Sequence, residues 1–196
     1  MINRATARGV AAIIGFIGSL TLLSSLNLVG FALIFLAPTI VILIHELGHA
    51  FAAWRFKMVV RKIVVGPFAL HLTPLRFRLE DKMLGDDLGG YVAYDEGLGR
   101  WLNWKIHSWI AAAGPLANLL TGAACYVFGR LQGDDWAARI AVGFAFVSFA
   151  AFLLSAWPHK LRSGRPNDAL EIIRDIKSAR PARRRAQPVR SPWQSR

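Results

Sequence analysis

The chain has 196 residues, 54 % of them hydrophobic and only 18 % charged, with a formal net charge of +12. That length suits one domain, and the shortage of charge excludes an ordinary soluble globule in favour of a membrane protein. The positive charge collects at the ends of apolar runs and in the C-terminal tail, which points to membrane orientation and anionic lipid and away from nucleic acid.

In chain order, Arg4 and Arg8 precede an apolar run as they would in a signal peptide. The run from Gly9 to Ile44 holds 36 residues without Asp, Glu, Lys or Arg, far more than a signal h-region, and no small-residue cleavage site closes it. It reads as a retained anchor. It is also too long for one span, which needs about twenty residues. Ser24-Ser25-Leu26-Asn27 is the natural break, giving span one at about 9–25 and span two at about 29–55. Pro38 should bend span two ahead of its C-terminal end.

That end carries His45-Glu46-Leu47-Gly48-His49. Two histidines four apart on a helix lie on one face, one turn apart, and can bind a single zinc ion. A glutamate beside the first can take a proton from a water that the metal activates. Arg55, Lys57, Arg61 and Lys62 follow, on the same side as Arg4 and Arg8 if spans one and two form a hairpin. The positive-inside rule makes that side cytoplasmic. His49 then lies roughly 9 Å of helix from the first cytoplasmic arginine, inside the bilayer but close to its inner face.

Residues 57–105 form a β-rich polar region. Met58–Val65, Phe68–Leu72 and Leu75–Leu79 read as short strands separated by Gly66-Pro67 and Thr73-Pro74. Gly89-Gly90-Tyr91-Val92-Ala93-Tyr94 reads as a further strand or loop in which two glycines let backbone come close. Such a region serves as a small cap, and its edge could also pair with an extended substrate. Trp101, Trp104 and Trp109 mark an interfacial belt. Span three covers Ile106–Gly129, and span four about 138–158, ending at Pro158. Within span three, Ala111-Ala112-Ala113-Gly114 allows close helix approach, Asn118 needs a partner at membrane depth, and Cys125 reads as a packing residue. Lys160, Arg162 and Arg165 mark the inside again, so both termini come out cytoplasmic. An amphipathic helix is predicted from Asn167 to Ser178, and a disordered tail over 177–196, with seven Lys or Arg and no acid. The fold class is therefore an α-helical polytopic membrane protein of about four transmembrane helices, with a small cytoplasmic-side β-hairpin region between spans two and three. Residues 1–176 make the single membrane domain.

A catalytic zinc usually has three protein ligands, and the third here must come from elsewhere in the chain. Asp134 and Asp135 fall on the far side of the bilayer. His71, Asp81, Asp86 and Asp87 are on the correct side but in the polar loop, and His107 reads as an interfacial histidine. His159 and Asp168 both follow span four on the correct side, and spacing does not choose between them.

The pentapeptide with Ala50, the run Gly114-Pro115-Leu116-Ala117-Asn118-Leu119, and Asp168 after a proline-bearing helix end together resemble the site-2 protease family of intramembrane zinc metalloproteases. Gly89-Gly90 is similar to a glycine pair of that family. The resemblance implies zinc held by His45, His49 and Asp168, with Glu46 as the catalytic acid–base. It further suggests that Asn118, Gly89 and Gly90 contact substrate or oxyanion. It implies cleavage of a membrane protein's transmembrane segment in the lipid bilayer, by a compact form without a PDZ domain in the inner (plasma) membrane of a prokaryotic cell. Ser155 and Ala169 stand where the family pattern has asparagine and glycine, and the loop before Asp168 is long. The alternative is thus a catalytically degenerate relative that binds clients or metal without cleavage.

Overall fold

The computed structural model of the chain describes residues 12–18, 28–79, 89–95, 104–133, 135–161 and 164–185. A first helical stretch, α1, covers residues 12–18. Then come α2 (Leu28–Arg55), strands β1 (Val59–Val65), β2 (Phe68–Leu72), β3 (Leu75–Leu79) and β4 (Gly90–Asp95), and helices α3 (Trp104–Leu131), α4 (Trp136–Ala156) and α5 (Asp168–Arg185). Three helical segments are long and apolar enough to cross a membrane: Leu36–Arg55, Trp104–Leu131 and Trp136–Ala156. Their most apolar windows are only 28–33 % buried within the protein. The rest of their surface is hydrocarbon facing outward, which suits lipid and would be costly in water. Three spans are therefore supported among the described residues. Most of the expected first span, its break at Ser24–Asn27, Trp101 and residues 186–196 lie outside them. The part of α1 that is described packs on α4, where a Cβ on Gly18 would meet Phe146 Cβ at 2.8 Å.

α2 runs unbroken through Pro38. It ends at a Schellman-type stop. Lys57 takes the left-handed conformation (φ 62°), its N–H bonds the Trp54 carbonyl at 2.8 Å, and the Met58 N–H bonds the Ala53 carbonyl at 2.9 Å. Met58 packs on Ala53 there, beside Ile110 of α3. This tight stop sends β1 back alongside the helix it has just left. Ile63 and Val65 consequently cover Ala50, with Ile42 and Val92 against them.

The four strands form one antiparallel sheet in the order β3-β2-β1-β4. β2 and β3 occupy the predicted residues, and β1 begins one residue later than predicted. The register pairs Phe68 with Leu79, Leu70 with Phe77 and Leu72 with Leu75, so all six project from one face of the hairpin. All six are exposed, whereas Ile63 and Val65 on the same face of β1 are covered by α2. β4 is the other edge. Its Gly90 lies against α2, where a Cβ would meet Glu46 Cγ at 2.6 Å. The sheet thus sets one edge strand beside the middle of His45-Glu46-Leu47-Gly48-His49.

Candidate metal centre

α2 and α3 approach until backbone meets backbone. A Cβ on Gly48 would sit 2.6 Å from the Ala113 carbonyl oxygen and 2.9 Å from Ala117 Cβ. At the next position on α3 after Ala113, a Cβ on Gly114 would collide with His49 Nε2 and stand 2.8 Å from His45 Nε2. Only residues without a side chain allow this contact. We predict that Gly114→Ala displaces both imidazoles and weakens zinc binding by roughly 10–100-fold, the scale seen when a ligand's support is lost. Competition with a chromophoric chelator measures it.

The close approach surrounds the histidines with partners. His49 Nδ1 donates to the Ile110 carbonyl at 2.7 Å, which leaves Nε2 as the ring's lone-pair nitrogen. His45 Nδ1 lies 3.1 Å from Asn118 Nδ2. Asn118 is 1 % exposed, and its Oδ1 has no hydrogen-bond partner. With the amide turned over, Oδ1 would accept the His45 Nδ1–H and Nε2 would hold the lone pair. The orphaned oxygen and the ligating tautomer are then explained by the same rotation.

On the opposite wall, Asp168 is the first residue of α5. Its Oδ2 lies 3.0 Å from His45 Nε2, and its Oδ1 is 3.5 Å from His49 Nε2. The two Nε2 atoms are 3.1 Å apart. One ligand atom from each of the three residues falls within 4.8 Å of the others, and this is the one such group among the described residues. Tetrahedral ligands bound to zinc at its usual distances stand about 3.4 Å from one another. Two imidazole lone pairs and a carboxylate at 3.0–3.5 Å therefore fit a zinc ion.

Glu46 lines the same cavity, of about 650 Å³, and is 5 % exposed. Gly89, Gly90 and Tyr91 of the β4 edge form another wall, and nothing lies within 4 Å of where a Gly89 Cβ would be. The other ligand candidates fall elsewhere. His159 lines the cavity, but its Nδ1 donates to the Trp157 carbonyl at 2.7 Å and it stands outside the ligand group. His107 lines the wall near Glu171 of α5. Burial, and then the Asp175 charge, lift the Glu171 carboxyl above the usual glutamate range. His71 is on β2, cross-paired with Lys62. Asp135 caps the far end of α4. Asp81, Asp86, Asp87 and Asp134 lie outside the described residues. Ser155 bonds the Ala151 carbonyl of its own helix at 2.9 Å. Sequence reasoning missed the Ile110 carbonyl, because any residue type can present it.

No curated protein and no solved structure matches the chain. The family comparison does, over residues 31–183, from within α2 to the last turn of α5. With more than half of its length matching the model of peptidase family M50, the chain belongs to that family, the membrane metalloproteases of the site-2 protease type.

Proposed function

We propose that the protein is an intramembrane zinc metalloprotease that hydrolyses a peptide bond in or near a transmembrane segment of another membrane protein. The observation that carries this reading is the convergence of His45, His49 and Asp168 within 4.8 Å, in a chain of family M50. These three residues would hold one zinc ion, which when bound would polarise the scissile carbonyl and lower the pKa of a water. Glu46, buried in the cavity wall one residue after His45, takes the water's proton and passes it to the leaving amine.

Asn118 has two tasks in this scheme. Its Oδ1, with the amide turned over, fixes the His45 tautomer, and its NH₂ is assigned as a donor to a substrate carbonyl or oxyanion. A helical substrate hides its amides in its own hydrogen bonds and must unwind to be cut. The edge of β4 takes the unwound piece as an added strand, beside Gly89 and Gly90 in the cavity wall. The distribution of Lys and Arg supports a site near the cytoplasmic face, cytoplasmic termini and an inner-membrane location. A degenerate client-binding scaffold is the weaker reading, since it has no physical need for a buried glutamate at position 46.

The test is purified protein in lipid vesicles with a panel of single-span membrane proteins. Wild type is expected to carry one zinc per chain and to cut at least one of them. Stripping the metal with a chelator should stop cleavage, and added zinc should restore it. Undiminished cleavage by metal-stripped protein would overturn the mechanism.

A further inference from the structure

We propose that Asn167 is the positioning residue for Asp168: its side-chain amide pins the end of α4 to the start of α5 and so delivers the carboxylate to the two histidines whatever the intervening loop does. The inference rests on the metal assignment above.

The chain leaves α4 at Ala156 and re-enters helix at Asp168. Such a loop would ordinarily place its far end poorly, because each backbone residue it orders loses conformational entropy. Here the loop turns back on itself. Lys160 bridges Pro166, the Leu161 N–H bonds the Arg165 carbonyl at 2.8 Å, and Gly164 turns the corner at φ +82°. Its two ends meet at Asn167. The Asn167 N–H donates to the His159 carbonyl at 3.1 Å, and Oδ1 accepts from the His159 N–H at 3.0 Å.

The same side chain closes both helices. Oδ1 also accepts the Leu170 N–H at 3.2 Å, the N-cap bond that starts α5, while the Asn167 carbonyl takes the first intrahelical bond from the Glu171 N–H at 2.9 Å. Nδ2 donates to the carbonyls of Ser155 and Trp157, each at 2.8 Å, with Leu154 at 3.3 Å, satisfying acceptors that the end of α4 leaves open. Every polar group of Asn167 is thus engaged, and the residue is only 7 % exposed. α5 packs mainly along α3, so this amide is the principal polar tie between α4 and α5 among the described residues. Asp168 is the next residue, and its position follows from the anchor rather than from the loop.

Asparagine is the residue that serves here because it both accepts and donates. Aspartate caps a helix N-terminus as well but would turn a carboxylate oxygen toward the Ser155 and Trp157 carbonyls. Alanine loses both halves.

The test uses full-length protein in detergent, with zinc affinity from chelator competition and the visible absorption of the cobalt(II)-substituted form as readouts. Asn167→Ala should keep the helical circular-dichroism signal, lose about 10–100-fold in zinc affinity and alter the cobalt bands. Asn167→Asp, which retains the cap, should fold and lose affinity to a similar degree. Two residues inserted after Gly164 should change wild-type affinity less than about twofold, because the anchor isolates the loop, and should cost more in the Asn167→Ala background. Either substituted protein, folded and showing wild-type affinity and cobalt bands, overturns the positioning role. Wild type that binds no metal at all overturns the metal assignment instead.

Discussion

Glu46→Gln is expected to bind zinc as wild type does and to cleave about 10²–10⁴-fold more slowly, the range typical for loss of a general acid–base. Glutamine keeps the size and the hydrogen-bonding reach of the side chain and removes its ability to take a proton. Glu46 is outside the group formed by His45, His49 and Asp168, so metal retention is the expected companion result. It is also held in place from the other side, since Gly90 of the β4 edge lets it lie where a Cβ would come 2.8 Å from its Oε1. A substitution of similar shape therefore leaves the packing between α2 and the sheet undisturbed. Zinc content and single-turnover cleavage of a membrane substrate, measured on one preparation, separate the outcomes. Full cleavage by Glu46→Gln would remove the acid–base from the mechanism, whereas loss of zinc would make residue 46 part of the metal centre.

The parts of this site that could be read from sequence are the local ones. The His45 and His49 pair depends on helical periodicity alone, and α2 supplies it. Strands β2 and β3 follow from short apolar runs between Gly-Pro and Thr-Pro breaks. The choice between Asp168 and His159 was beyond spacing, because both follow the same span on the same side. It turns on where the tie between the end of α4 and Asn167 sets the start of α5, a contact with no periodic signature. Asn167 did carry a signal, since asparagine directly before a helix-opening aspartate is an N-cap pattern. Its bonds to the carbonyls of α4 carry none, because backbone acceptors look alike in every sequence. Gly114 was legible as a site of close helix approach, but what approached it, the two imidazoles, depends on how α2 is rotated against α3.

Asp168→Ala should reduce zinc from about one ion per chain to near none and abolish cleavage, a larger effect than the roughly 10–100-fold that loss of an outer support causes. Two histidines one turn apart remain, and a catalytic zinc ordinarily takes three protein ligands. The loss should not come from unfolding. A carboxylate in the first turn of a helix contributes about 0.3–1 kcal/mol through the helix dipole, and the cap that starts α5 belongs to Asn167, which stays. Removing Asp168 takes away both a ligand oxygen 3.0 Å from His45 Nε2 and the negative charge that would offset the metal's. Asp168→Asn separates these contributions, because it preserves the shape and one carbonyl oxygen while removing the charge, and should hold zinc more weakly than wild type but better than alanine. His159→Ala is the complementary measurement: its ring is turned to the Trp157 carbonyl, so zinc affinity should be retained. An Asp168→Ala protein that kept its zinc while His159→Ala lost it would exchange the two residues' roles and move the third ligand from the helix start to the loop.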